Sequence, residues 1–224
     1  MTWMKGTFAG LLSVAVLFSG AAAQDTPQDP TVTASTPRER QIELALSAAP
    51  AEVSSKATIY ILGHKGYEKA REGTNGISCF IWRSFSETTQ VSAAPACFDA
   101  MGSRTIMVTT MRREELRAQG KSETEIKEDI AKGYKDGRYK APGPGFLYMM
   151  SNENYFYSSG TKQWGRVPPH VMFYAPDKTA KDAGYGSISP TMVPYVTGDG
   201  PETLMVVFAK KPPEDSSSGD SHKH

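Results

Sequence analysis

The two cysteines of the chain, Cys79 and Cys97, are the residues whose chemistry the sequence defines best. They could form a disulfide bond, or one of them could act as a redox or nucleophilic thiol. No C-x-x-C pair occurs, and Cys79 lies in the apolar stretch ISCFIWRSF, where a thiolate is disfavoured. An even number of cysteines permits pairing in an oxidising compartment. We therefore expect a structural disulfide that ties a buried strand to the loop after it.

The N-terminal segment has the pattern of a secretory signal, which would carry the cysteines to such a compartment. Lys5 precedes an apolar run over residues 8–18, and three alanines at 21–23 match a small-x-small cleavage site. A membrane anchor is the alternative, but residues 7–23 fall short of the roughly 20 apolar residues that span a bilayer. We expect residues 1–23 to be a signal peptide and the mature protein to be secreted or periplasmic, without a membrane span.

The charge balance excludes several classes of protein. The chain has 25 Lys+Arg and 24 Asp+Glu, for a formal net charge of +1. Lys5 is the only charged residue of the predicted signal peptide, so the exported remainder is formally neutral. This balance argues against nucleic acid as a partner. The chain has no G-x-x-x-x-G-K-[ST] motif and too few cysteines for an iron–sulfur or Cys-rich zinc module, so we expect no cofactor.

Histidine chemistry has few candidates in the predicted globular part, where only His64 and His170 occur. No H-E-x-x-H or comparable spacing is present, so we predict no metal site. The sequence also lacks a G-x-S-x-G or S-x-x-K nucleophile motif. A spatial triad of His170, Asp99 and a serine would define an exported hydrolase, and Glu72 is a second weak carboxylate candidate. Ordinary hydrogen bonding by both histidines is the competing interpretation.

An aromatic cluster is the most unusual local feature of the sequence. Six aromatic side chains fall within residues 146–164, with three amide side chains interspersed, and Tyr155, Tyr157 and Trp164 are the candidate binding residues. Outside the cell such rings can stack on sugars or contact a partner protein. The competing interpretation is that alternate rings face the core and the others line a hairpin edge.

The elements that would position these residues fall into a clear order. We expect a disordered linker over residues 24–36, one globular domain over 37–210 and a disordered tail over 211–224. A helix should begin at a Thr36–Glu39 capping box and end at Pro50. Strand signals follow, and the first three predict an antiparallel meander; strands are predicted at 57–62, 67–72, 77–85, 146–150, 154–157, 170–175 and 203–209.

The middle of the chain is rich in charge and predicts helices. Residues 112–140 contain two helical stretches, and Ser122 with Glu125 forms a capping box for the second. Ile126, Ile130 and Tyr134 form a narrow stripe that would dock this helix. Residues 104–111 fit either a strand or a helix. The fold class is therefore α+β: an antiparallel sheet from N- and C-terminal strands, a central helical insert and one disulfide.

Four stretches of the chain resemble a group of exported bacterial proteins with no known activity. They are residues 71–79, 97–105, the helix within 120–137, and 169–176. The resemblance implies one exported domain of bacterial type and assigns no role to any residue.

The sequence thus leaves two hypotheses for function. The first is an exported, non-catalytic domain that binds a partner protein or a cell-envelope component, such as a glycan, through the aromatic stretch. The alternative is an exported hydrolase that uses His170 as its base.

Overall fold

The structure is a computed structural model that describes residues 30–184 and 194–209. The predicted signal peptide, residues 24–29 of the predicted linker and the predicted tail lie outside the described residues. The helices are α1 (Arg38–Leu46), α2 (Ala51–Ser54), α3 (Ala100–Ser103), α4 (Ile106–Ala118) and α5 (Glu123–Lys135). The strands are β1 (Thr58–Gly63), β2 (Gly66–Arg71), β3 (Ser78–Ser86), β4 (Thr89–Phe98), β5 (Phe146–Met149), β6 (Tyr155–Ser158), β7 (Gln163–Arg166), β8 (His170–Tyr174), β9 (Tyr195–Thr197) and β10 (Leu204–Phe208).

One ten-stranded sheet runs through the described residues in the order β2-β1-β3-β4-β5-β8-β10-β9, with the β6–β7 hairpin attached to β4. Strands from both halves of the chain meet where β4 pairs with β5. The three helices α3, α4 and α5 lie between those strands in sequence. The predicted α+β class, with a central helical insert and one disulfide, is therefore confirmed.

The expected meander of the first three strands is wrong. β1 and β2 form a hairpin, but β1 then lies between β2 and β3, and its pairing with β3 is parallel. Burial explains the order, because β3 is almost fully buried from Ser78 to Ile81, whereas Glu68 and Lys69 of β2 are exposed. An apolar strand gains most from neighbours on both edges, and a polar strand suits the sheet edge.

The longest strand, β4, lies in a segment that the sequence did not mark as a strand. Three alanines and Pro95 lower its apparent strand propensity. Pro95 is tolerated because β6 pairs with β4 at Ser92 and Ala93, while β5 pairs at Cys97 and Phe98. The proline therefore lies in a gap where no second strand pairs with that edge.

Helix predictions were right in the insert and partly wrong at the N-terminus. Residues 106–118 are helical, which resolves the ambiguous segment, and the Ser122–Glu125 capping box is formed. Ile126 and Ile130 are buried as the stripe predicted. The Thr36–Glu39 box is not formed, because Pro37 is the N-cap residue and the Thr36 hydroxyl instead accepts from the Thr33 amide over 3.0 Å.

Both faces of the sheet are covered over part of their area. On one face α4 packs against a cluster built around Phe80, Phe98 and Leu147. On the other face Ala45 of α1, with Ala48 and Ala49 just after it, packs against Ile59 and the two cysteines. Residues 30–36, expected in a linker, also contact this second face: Val32 is buried against Ile81 and Ala93.

Candidate functional site

The two cysteines form a disulfide between neighbouring strands. Cys79 of β3 lies directly opposite Cys97 of β4, and both side chains are fully buried. The sequence predicted the bond but expected its second half in a loop, where the structure has β4. With both sulfurs bonded, no free thiol is available for redox or nucleophilic chemistry.

His170 is the first residue of β8 and lies inside the domain. It is 2% exposed, and its Nδ1 donates a hydrogen bond to the Pro168 carbonyl over 2.7 Å. Its Nε2 is buried without a hydrogen-bond partner among the described residues, and its ring packs on Phe208. Burial lowers the pKa of His170 below its ordinary value. A neutral, enclosed imidazole results.

Asp99, the proposed partner of His170 in a triad, is used elsewhere. It is the N-cap of α3 and accepts hydrogen bonds from the Gly102 amide over 2.8 Å and the Phe146 amide over 3.1 Å. It also accepts one from the Tyr174 hydroxyl over 2.9 Å. Tyr174 ends β8 and His170 begins it, so Asp99 contacts the end of the strand opposite to His170.

Glu72, the other carboxylate candidate, contacts neither His170 nor Asp99 in any hydrogen bond or ion pair of the described residues. Its exposed carboxylate pairs with Lys69 on the sheet edge. Among residues 30–184 and 194–209, no group of three or more His, Cys, Asp and Glu side chains could hold a metal ion.

The three aromatic binding candidates come together on the β6–β7 hairpin. Tyr157 lies opposite Trp164, and their ring centres are 5.5 Å apart in an edge-to-face arrangement. Side chains of a strand alternate between faces, so Tyr155 shares the face of these two rings. All three are partly exposed, while Phe156 points to the opposite face and is 52% exposed.

Hydrogen bonds fix Tyr155 at the base of this face. Its hydroxyl donates to Glu153 over 3.2 Å and accepts from the Nε of Arg166 over 3.1 Å. Buried Asn154 anchors the start of the hairpin, because its amide donates to the Met149 and Ser151 carbonyls over 2.8 Å each. The aromatic face, defined as Tyr155, Tyr157 and Trp164, is therefore held in a defined geometry.

A groove of about 140 Å³ adjoins the aromatic face at Tyr155. Its lining is mixed: apolar Val32 and Leu44 contribute from the N-terminal segment and from α1, and Thr36 adds a polar group. Arg40 reaches across it to Glu153, with 3.8 Å between nitrogen and oxygen. Sequence reasoning missed this groove, because three segments distant in sequence form it and no local pattern marks their meeting.

The other two aromatic residues of the predicted stretch lie apart from the hairpin. Phe146 and Tyr148 belong to β5, and Phe146 packs beside Phe173 of β8 with ring centres 6.2 Å apart. Phe173 is 46% exposed. The continuous aromatic stretch of the sequence is thus divided between two places on the sheet.

Two further sets of charged residues were not singled out by the sequence. One is a buried network in which Glu114 binds both Arg83 and Arg117, and Arg117 also binds Glu123. The other is a group of cations, Arg104, Arg138 and Lys140, that line a second cavity near the start of α4. The sequence showed only that this region is rich in charge.

Comparison with protein-family models, with curated protein sequences and with solved structures found no match to this chain. Within the described residues, none of the helices has the length and apolar character needed to cross a bilayer.

Proposed function

We propose that this protein is an exported, non-catalytic domain that binds a cell-envelope component through the aromatic face. The observation that carries the proposal is the arrangement of Tyr155, Tyr157 and Trp164 on one side of the β6–β7 hairpin, partly exposed and beside a groove. Aromatic rings with one accessible side provide contact area at little entropic cost.

Export is supported by two independent features. The first is the signal pattern of residues 1–23, with its positive start, apolar run and small residues. The second is the Cys79–Cys97 bond, because disulfides persist mainly in oxidising compartments such as the periplasm and the extracellular medium.

A glycan is the ligand that this surface fits best. The rings are accompanied by groups that can hydrogen-bond to sugar hydroxyls: Asn152 is exposed just before the hairpin, and the partly exposed Glu153 lines the adjoining groove. Sugar rings present apolar faces to aromatic side chains and hydroxyl groups to polar ones. A partner protein could use the same rings as hot-spot contacts, which the experiment below distinguishes.

The hydrolase alternative has little support from the geometry. Among the described residues, the imidazole of His170 contacts no carboxylate or hydroxyl group, and it does not line the groove. A general base must come within hydrogen-bond reach of the proton it removes, whereas the Nε2 of His170 is buried. The aromatic face requires no such chemistry.

Co-sedimentation with purified bacterial peptidoglycan tests the proposal. We expect the wild-type protein to bind, and Tyr157→Ala and Trp164→Ala to weaken binding about tenfold each, as for central aromatic contacts. Phe156→Ala is the matched control, since it removes an exposed ring from the opposite face of the same hairpin. Circular dichroism establishes that each variant is folded.

The results separate three cases. Loss of binding in the Tyr157 and Trp164 variants but not in Phe156→Ala supports the glycan site. A cross-linker at position 157 that captures one defined envelope protein, in a manner abolished by Trp164→Ala, supports a partner protein instead. Binding to neither, or equal binding by all variants, overturns the proposal.

A further inference from the structure

The second cavity lies between the start of α4 and the segment that follows α5. Its volume is about 470 Å³, within the range of small-molecule sites. Met101, Arg104 and Val108 line one side, and Arg138, Tyr139 and Lys140 line the other. This cavity is formed by other elements than the aromatic face and its groove.

Positive charge dominates the cavity. Arg104, Arg138 and Lys140 line it, and none of its lining residues is an aspartate or a glutamate. Arg138 is already shared with two carboxylates outside the lining, since Asp129 and Asp136 each lie 3.5 Å from its guanidinium. Arg104 and Lys140 therefore supply the charge that is free to meet a ligand.

Arg104 stands out among the arginines of the described residues. Each of the others contacts a carboxylate, a carbonyl oxygen or a tyrosine hydroxyl, as Arg38 does with the Ala70 carbonyl and Arg71 with those of Ser54 and Ala57. The Arg104 guanidinium has no ion pair or hydrogen bond within the described residues, although it lines a cavity. A guanidinium presents a planar set of donors that matches the oxygens of a phosphate or a carboxylate.

The cavity also has a fixed apolar floor. Tyr139 is 9% exposed, and its ring packs edge-to-face with Tyr134 at 5.8 Å between ring centres. Gly133 permits this position, because a β-carbon there would lie 2.2 Å from the Tyr139 ring. Val108 is 42% exposed and adds an apolar surface beside the cations. A ligand would meet charge and apolar surface together.

We propose that this cavity binds a phosphate monoester whose phosphate lies between Arg104 and Lys140 and whose apolar body contacts Tyr139 and Val108. A phosphate monoester carries a charge of about −1.5 to −2 near pH 7. Neither Arg104 nor Lys140 has an ion pair within the described residues, and the charge of a phosphate monoester matches this pair better than the single charge of a carboxylate does. The phosphate could belong to a soluble ester or to a lipid headgroup.

Calorimetric titration of the exported, purified protein with phenyl phosphate, inorganic phosphate and benzoate tests this site in solution. We expect phenyl phosphate to bind most tightly, because it alone combines a dianion with an apolar ring. Arg104→Gln and Lys140→Gln should each weaken its binding about tenfold, the usual cost of a lost charged hydrogen bond. Co-sedimentation with vesicles of phosphatidylcholine, with and without phosphatidic acid, tests the lipid source.

The matched control is Lys65→Gln, which removes the same charge from the β1–β2 turn. That turn contacts Glu115 near the other end of α4, away from the cavity. Arg104, Lys140 and Lys65 are exposed, so the three glutamine variants should fold, as circular dichroism can verify. Trp164→Ala should bind phenyl phosphate normally, which separates this site from the aromatic face.

The proposal is supported if phenyl phosphate or phosphatidic acid vesicles bind and if this binding depends on Arg104 and Lys140 but not on Lys65. Binding of phenyl phosphate would indicate a soluble ester, and binding of the vesicles would indicate a lipid headgroup. The proposal is overturned if no phosphate-bearing probe binds saturably. It is equally overturned if Lys65→Gln weakens binding as much as the two cavity variants, since the effect would then reflect overall charge.

Discussion

The hydroxyl of Tyr134 donates a hydrogen bond to Glu202 over 3.0 Å, and this contact joins the helical insert to the segment just before β10. The same carboxylate binds Arg113 over 2.6 Å and accepts a hydrogen bond from Thr109, so three residues of the insert converge on it. Burial, together with the charge of Glu202, raises the pKa of the Tyr134 phenol. The insert is thereby fixed to the segment that precedes β10 as well as to the sheet.

A double-mutant cycle measures this contact. We expect Tyr134→Phe to lower the free energy of unfolding by about 1 kcal/mol, the net value of one hydrogen bond to a partly buried group, and Glu202→Gln to lower it by more. The double variant should lose less than the sum of the two, by about 1 kcal/mol. Strict additivity in urea denaturation would show that the two side chains do not interact.

The buried Glu114 should matter far more than its exposed neighbour on α4. Its side chain is 3% exposed and binds two arginines, so Glu114→Gln leaves Arg83 and Arg117 without their shared carboxylate. We expect a loss of about 3 kcal/mol in the free energy of unfolding. Glu115→Gln removes an ion pair with Arg112 in which the Glu115 side chain is 50% exposed. It should lower the free energy of unfolding by less than about 1 kcal/mol. Similar losses in the two variants would contradict this view.

The disulfide should contribute substantially to stability. Cys79 and Cys97 are 18 residues apart, and a closed loop near this size is worth about 3 kcal/mol in the chain-entropy description. We expect the double variant Cys79→Ala/Cys97→Ala, and the wild-type protein under reducing conditions, to lose a similar amount in denaturant unfolding. An unfolding transition that does not respond to reductant would refute the expectation.

His170 should make the free energy of unfolding fall as the pH drops below about 6.5, the ordinary pKa of histidine. Burial lowers its pKa in the folded state, so the unfolded chain binds the proton more readily. Its contribution is complete above the unfolded pKa of about 6.5 and is lost as the pH falls below it. We expect His170→Phe to flatten the pH dependence of the unfolding free energy in this window.

The histidine in the β1–β2 turn provides the control for that measurement. His64 is exposed, and His64→Gln removes one imidazole without disturbing the core. A slope that persists in His170→Phe would assign the titration to other groups.

Local patterns in the sequence predicted the elements whose formation depends on neighbouring residues. The Ser122–Glu125 capping box marked the start of α5, and the apolar run of residues 77–85 marked β3. The same patterns misplaced the N-terminal capping box, where Pro37 occupies the cap position. They also missed β4, whose alanines and Pro95 are compatible with a strand only because β3 pairs along its length.

The sequence by itself determined that this chain has an export-type N-terminal pattern, an α+β fold class, a paired Cys79 and Cys97, and an aromatic stretch around Trp164. These features depend on composition and on spacing along the chain. Only the tertiary structure decided that Asp99 contacts the end of β8 opposite to His170 and that Arg104 and Lys140 line one cavity. Such relationships arise from strand order and helix docking, which bring distant residues together through packing that no local pattern records.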